Sequence, residues 1–253
     1  MAINERVDWR TDLGAGRRVA LIQAGTFTSD AGTVFGPVPR TLWERLVADE
    51  LNPDATLTQA LNCLLIETPD GRVLVETGVG ERLDARRTEQ RGVHGPAILP
   101  ALREAGFDPG TVDAVAVSHL HWDHAGGFLT ADGSPAFPRA RLVAQRVEWS
   151  FALGDNPRLT ASYEQAELRL VAADGLSGAA DGQEELLPGV EVLRTGGHSG
   201  GHQAVLVRGP NGTVAFLGDL CMRGWNANPR WVPSFDDFPL TSVEVKASLF
   251  RRA

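Results

Sequence analysis

The strongest constraint on this fold is an apolar run that ends in a cluster of metal-type ligands. Residues 112–117 read Val-Asp-Ala-Val-Ala-Val, a nearly continuous apolar stretch of the kind buried on both faces of a sheet. The chain then runs directly into Ser118-His119-Leu120-His121-Trp122-Asp123-His124-Ala125-Gly126-Gly127. His119 and His121 share a face if the backbone stays extended. A tight turn then brings Asp123 and His124 round to the same point. Gly126 and Gly127 allow close backbone approach after it. Imidazole and carboxylate together suit zinc, and less often iron or manganese. The chain has six histidines, and three fall in this run, so a scatter of unrelated core or surface histidines is a poor account of it.

Two later segments carry the same residue types. Thr195-Gly196-Gly197-His198-Ser199-Gly200-Gly201-His202 sets a histidine in a glycine-rich loop after a strand. Phe216-Leu217-Gly218-Asp219 sets a carboxylate at a strand end. Each is weak alone, since Gly-Asp after a strand is usually a turn. Their order after the first run gives them weight.

The remaining pattern predicts two sets of strands interleaved with helices. Strands are expected at 19–24, 61–67, 72–76, 112–117 and 141–144, then at 190–194, 203–207 and 213–217. Helices are expected at 96–105 and 145–153. Pro69-Asp70-Gly71 and Pro210-Asn211-Gly212 are turn signals. Residues 25–58 read as a long irregular stretch with a short helix at 41–47, serving as a lid or binding loop or simply packing on the surface. Thr241-Ser242-Val243-Glu244 has the form of a capping box. The helix it would open carries Val243, Ala247, Leu249 and Phe250 as its apolar residues.

Bulk properties narrow the partners. The length of 253 residues suits one domain spanning 1–253, and 43% hydrophobic with 22% charged residues is an ordinary globular balance. A net charge of −8 repels phosphate backbones, and Arg17-Arg18 and Arg86-Arg87 are too short to form a basic patch, so a nucleic-acid partner is not expected. There is no apolar run of membrane-spanning length and no signal-like start, which makes a cytoplasmic location the expectation. Cys63 and Cys221 read as packing residues rather than ligands.

His-x-His-x-Asp-His, then Gly-His-Ser-x-Gly-His, then Gly-Asp, in that order, resembles the metallo-β-lactamase superfamily. The resemblance runs from about residue 25 to the last residue. Gly32-x-x-Phe35-Gly36-x-Val38-Pro39 with Leu42-Trp43 is similar to a large bacterial group of metallo-hydrolases of this fold. The resemblance implies an α+β, four-layer αββα sandwich with the site at one edge between the sheets. It implies that His119, His121 and His198 hold one metal, that Asp123 and His124 hold a second, and that Asp219 bridges them. It implies one or two zinc ions, with iron or manganese as alternatives. The expected chemistry is hydrolysis of a small carboxylic ester or lactone by a metal-bound hydroxide that Asp123 orients. Phosphoester, thioester or β-lactam hydrolysis are the alternatives, and so is a metal-binding protein with little catalysis.

Two departures from the family pattern bear on the site. The family carries a further histidine on a strand after the C-terminal helix. Here no histidine follows His202, so that helix and strand look cut short and the second metal site incomplete. His202 and His94 are possible substitutes, read more simply as a loop-packing and a surface residue. Glu76 stands where the family usually has Asp in support of a metal ligand. Lactonases of the fold often carry Tyr shortly after the bridging Asp, whereas Met222 stands there and Tyr163 is the only tyrosine, which weakens a quorum-sensing lactonase reading and leaves other lactones and esters open. Trp225, Trp231, Phe235 and Phe238 could wall an apolar pocket.

Overall fold

The structure, a computed structural model, describes residues 10–173 and 177–251. Its first sheet has the order β1 (Arg10–Gly14), β2 (Arg17–Asp30), β3 (Thr56–Thr68), β4 (Gly71–Val75), β5 (Ala114–Ala116), β6 (Arg141–Gln145), β7 (Ser177–Ala180). Pairing is antiparallel from β1 to β4 and parallel from β4 to β7. The second sheet is antiparallel and joins β8 (Gln183–Leu187), β9 (Val190–Arg194), β10 (Gln203–Gly209) and β11 (Gly212–Phe216). The helices are α1 (Ala31–Phe35), α2 (Arg40–Trp43), α3 (Ala85–Gln90), α4 (Ile98–Glu104), α5 (Trp122–Ala125), α6 (Arg146–Ala152), α7 (Pro157–Thr160), α8 (Gln165–Ala173) and α9 (Pro239–Leu249).

Strand alternation builds two cores from one sheet. Leu64, Ile66, Val73, Val75, Ala114, Ala116 and Val143 pack with Val190, Val192, Val205 and Val207 of the second sheet. The intervening Leu65, Leu74, Val115 and Leu142 point the other way, into a cluster with Leu99 and Leu102 of α4, Ala152 of α6, and Leu168 and Val171 of α8. The near-continuous apolar run at 112–117 is therefore explained, since β5 is buried on both faces. Two buried glutamines tie the sheets together near the strand ends. Gln145 Nε2 donates to Gln203 Oε1 at 2.8 Å, and Gln203 Nε2 donates to the Val117 carbonyl at 2.8 Å.

The stretch 25–58 is more ordered than its sequence suggests. β2 continues through Asp30 and pairs with the start of β3, with a register shift between Gln23 and Thr26. Gly25 sits at that shift with φ +92°, and a Cβ there would lie 2.6 Å from the His94 carbonyl oxygen. Asp30 then caps α1, its Oδ1 accepting the Thr33 N–H at 2.8 Å. The helix expected at 41–47 is α2 continued by a 3-10 turn at Glu44–Leu46. The resemblance motif in this stretch is a packing motif. Phe35 stacks on Trp43 with ring centroids 4.7 Å apart, and lies 4.3 Å from Trp225.

The capping box at 241–244 does not form. α9 starts two residues earlier, at Pro239, with no side-chain cap bond. The Ser242 hydroxyl instead donates to Asp236 Oδ2 at 2.5 Å. The buried face of α9 is also not the apolar one, because Ser242 and Lys246 are its buried residues. Lys246 Nζ donates to the Asn226 and Trp231 carbonyls at 3.1 and 2.8 Å, which offsets the cost of its burial.

Candidate metal centre and its cavity

Three loops at one end of the sandwich converge. The first follows β5 and carries His119 and His121, then turns into the short α5 with Asp123 and His124. The second joins β9 to β10 and carries His198. The third follows β11, where a 3-10 turn at Gly218–Cys221 presents Asp219. The Gln203 N–H donates to the Ser118 carbonyl at 2.8 Å and locks the first two loops together.

The segment after β4 braces α5. The Thr77 N–H and hydroxyl both donate to the His124 carbonyl, at 2.8 and 2.9 Å. The Gly126 N–H donates to the Gly78 carbonyl at 2.9 Å. A Cβ on Gly126 would lie 2.1 Å from the Val79 carbonyl oxygen, so the glycine pair after the histidine run is required by close backbone approach.

His119 Nε2, His121 Nδ1 and His198 Nε2 form a buried triangle with sides of 2.9, 3.0 and 3.1 Å. His198 Nδ1 lies 2.8 Å from Asp236 Oδ1, both side chains being 1% exposed. A carboxylate there fixes the ring proton on Nδ1, so Nε2 presents a lone pair. His119 Nδ1 is taken by Ser118 Oγ at 2.9 Å. Facing lone pairs this close in a buried site repel unless a proton or cation lies between them, and three imidazoles suit zinc. A second group is formed by His119, His124 and Asp219. His124 Nε2 lies 3.3 Å from Asp219 Oδ1 and 3.5 Å from Asp123 Oδ2, and Asp219 Oδ2 lies 3.5 Å from His198 Nε2. All six residues singled out in the sequence therefore lie together, and Asp219 sits between the two groups.

Electrostatics separate the rings. Burial, reinforced by neighbouring histidines, holds His119 and His121 well below the ordinary imidazole range, which keeps their lone pairs available. His124 is raised well above that range: burial opposes its charge, but Asp219, Asp123 and Glu76 outweigh it. Burial likewise opposes charge on His198, and Asp219 and Asp236 overcome it. Burial raises Asp123. Asp219 is held low by His124 and His198 against the cost of its burial.

The substitute histidines take the plain roles. His94 is exposed, and its backbone pairs with Thr26. His202 is fully buried with Nδ1 2.6 Å from Thr195 Oγ1, and its Nε2 has no partner. It belongs to neither group of metal-capable residues found among the described residues. Cys63 is buried, while Cys221 is half-buried with Sγ 3.6 Å from the Arg223 carbonyl oxygen. Neither joins those groups. Glu76 Oε1 accepts the Ser118 N–H at 2.9 Å, and Oε2 lies 3.4 Å from His124 Nδ1. It adopts φ +67°, a left-handed conformation that costs a non-glycine residue roughly 1 kcal/mol or more.

The site opens into a cavity of about 840 Å³. Phe27, Trp122, Met222 and Phe235 supply apolar wall. Of the four aromatics expected to wall a pocket, only Phe235 does so. Trp225 and Trp231 pack on Phe35, and Phe238 lies outside against Phe151.

Sequence reasoning missed two buried carboxylates. Asp236 sits 38 residues from its partner His198, in a Phe-Asp-Asp-Phe run with no motif spacing to mark it. Glu148 lies in a segment correctly read as helix, yet it is fully buried and bonded to both histidine loops. Its only sequence signal is a charge on the face of α6 that also carries Ala152.

The metallo-beta-lactamase superfamily profile matches residues 59–224. An N-acyl homoserine lactonase of Bacillus cereus is 31% identical over 186 residues, covering 68% of this chain and 68% of that protein. The N-acyl homoserine lactonase AiiB of Agrobacterium fabrum is 30% identical over 188 residues, covering 67% and 66%. Among solved structures, a probable metal-dependent hydrolase from Staphylococcus aureus superposes with TM-score 0.87 at 24% identity, covering 96% of this chain and 86% of that one. A dizinc quorum-quenching lactonase superposes with TM-score 0.79 at 18% identity, covering 96% and 85%. The histidine and aspartate groups, the two-sheet fold and these relatives agree: the chain belongs to the metallo-β-lactamase superfamily and is a metal-dependent hydrolase.

Proposed function

We propose that this protein opens a lactone ring, with His119, His121 and His198 holding one zinc ion and Asp123, His124 and Asp219 holding a second. The reading is carried by the triangle of imidazole nitrogens 2.9–3.1 Å apart, and it is supported by relatives that are N-acyl homoserine lactonases. When bound, zinc supplies a water acidified to a pKa of about 7 and a Lewis acid for the carbonyl oxygen.

The protein's own groups do the rest. Burial raises the Asp123 carboxyl, which suits a group that accepts a proton at Oδ and returns it to the departing ring oxygen. The apolar wall of Phe27, Trp122, Met222 and Phe235 excludes water and receives a hydrocarbon tail. A cavity of about 840 Å³ has room for a ring with an acyl chain. Tyr163 does not polarise the carbonyl, since its hydroxyl is buried and donates to Glu148 Oε1 at 3.0 Å. Met222 stands three residues after Asp219, so the acyl end meets an apolar group there.

The second ion binds more weakly than the first. His119 is grouped with His124 and Asp219 as well, but its Nε2 faces the triangle and its Nδ1 is taken by Ser118, so the second ion has one imidazole where the first has three. The decisive assay compares zinc-loaded turnover of homoserine lactones of increasing acyl length with an aryl ester, a thioester, a phosphotriester and a β-lactam. The highest kcat/KM on an acylated lactone is expected. Higher turnover of the phosphotriester or thioester, or zinc bound with no lactone opened, would reject the reading.

A further inference from the structure

We infer that Glu148 is a positioning residue that clamps the two histidine loops into the geometry that holds metal. The inference rests on the proposed three-histidine site. Glu148 sits in the first turn of α6 and is fully buried, and among the described residues no cationic side chain is bonded to it. Its two oxygens accept four hydrogen bonds. Oε1 takes the Leu120 N–H at 3.1 Å and the Tyr163 hydroxyl at 3.0 Å. Oε2 takes the Ser199 hydroxyl at 2.7 Å and the Gly201 N–H at 2.9 Å.

Three of those four donors adjoin a histidine of the triangle, and the fourth, Gly201, holds the loop that carries His198. Leu120 lies between His119 and His121, and Ser199 follows His198. Tyr163 packs edge-on against His121, with ring centroids 4.7 Å apart. One carboxylate thus fixes the backbone or ring position of all three imidazoles. The loop is built to sit on it. A Cβ on Gly201 would lie 2.4 Å from the Glu148 backbone nitrogen, and one on Gly200 would lie 2.2 Å from the Phe151 ring. Both glycines let the loop at 196–202 lie directly on α6.

The chemistry requires a carboxylate rather than any polar group. Two of the four donors are backbone N–H groups, which cannot turn round to accept. Glutamine would set its NH2 against either the Leu120 or the Gly201 N–H, whichever way the amide is placed. An isosteric Glu148→Gln change therefore opens one loop while leaving the core volume unchanged.

The test follows zinc release to a chelator and thermal unfolding for Glu148→Gln, Ser199→Ala and Tyr163→Phe. Val171→Ala, in the core of α8, serves as a stability-matched control. Glu148→Gln is expected to release zinc about tenfold faster or more, the range for groups that orient metal ligands. Ser199→Ala and Tyr163→Phe are expected to speed release by about fivefold each, the worth of one hydrogen bond. Val171→Ala is expected to lower the unfolding temperature without faster release. Release from Glu148→Gln within about twofold of the wild type, or no faster than from the control at equal loss of stability, overturns the clamp. If Glu148→Gln does not fold, unchanged release from both Ser199→Ala and Tyr163→Phe overturns it. A wild-type protein that holds no zinc defeats the metal-site reading itself, and is seen before any variant is compared.

Discussion

Removing the carboxylate of Asp236 isolates the contribution of one outer hydrogen bond to metal binding. Asp236 Oδ1 accepts the His198 Nδ1–H at 2.8 Å where both side chains are 1% exposed, so no water replaces a lost partner. Asp236→Ala leaves that N–H unsatisfied at a cost of about 1–3 kcal/mol and frees the ring to rotate. Losses of 10–100-fold, or about 1.4–2.7 kcal/mol, are usual for such groups. Asp236→Asn is milder. Its amide oxygen still accepts from His198, and its NH2 donates to Ser242, whose hydroxyl can accept as well as donate. What it loses is the charge, about half the strength of the bond, for a loss of roughly 3–10-fold. Zinc affinity, measured by competition with a chromophoric chelator, should fall in the order wild type, Asn, Ala, with kcat/KM following. An alanine variant that binds zinc within about twofold of the wild type, or an asparagine variant worse than alanine, would refute the reasoning.

Three further outcomes are expected. Asp123→Ala should cut lactone turnover far more than it weakens zinc at the three-histidine group, because Asp123 lies beside His124 rather than in the triangle; equal loss of both would contradict its role as proton acceptor. Gly126→Ala should destabilise the fold by about 1–3 kcal/mol, since the added carbon would lie 2.1 Å from the Val79 carbonyl oxygen; an unchanged unfolding temperature would show that the two backbones separate freely. Burial pushes His202 down to about 3 from 6.5. Between those values the unfolded chain binds a proton that the folded one does not, so stability falls as pH falls, by about 1.4 kcal/mol per unit from this residue. Urea midpoints of the metal-free protein from neutral pH downward should flatten in His202→Gln, and an unchanged slope would place the titration elsewhere.

Much of the site was legible because its residues are close in sequence or follow strands. The run at 119–124 marks itself by density of ligands, and His198 and Asp219 by their strand-end context. The hairpin at Pro69-Asp70-Gly71 and the strands at 190–194, 203–207 and 213–217 fall within a few residues of their observed bounds, because alternation and turn chemistry act locally. What stayed hidden depends on distant partners. The second half of β2 is a strand because β3 pairs with it, not because Thr26–Asp30 alternate. Edge strands β1 and β8 bury little and show no apolar pattern. α8 was missed although Leu168 and Val171, three apart, carry its buried face. Ser242 and Asp236 bond to each other rather than to a helix end, so a local capping rule misread them. Asp236 and Glu148 matter through contacts 38 residues away and 15 to 53 residues away, which no local spacing announces.

The central claim is that metal held by these histidines and carboxylates opens a lactone ring. Its most direct test titrates zinc into metal-stripped protein while ring opening of an acylated lactone is followed. Turnover that is absent without metal, rises with bound zinc, and is lost when His119 and His198 are both replaced by alanine is the result predicted. Ring opening that proceeds unchanged in the stripped protein, or zinc bound tightly by the double variant, would contradict it.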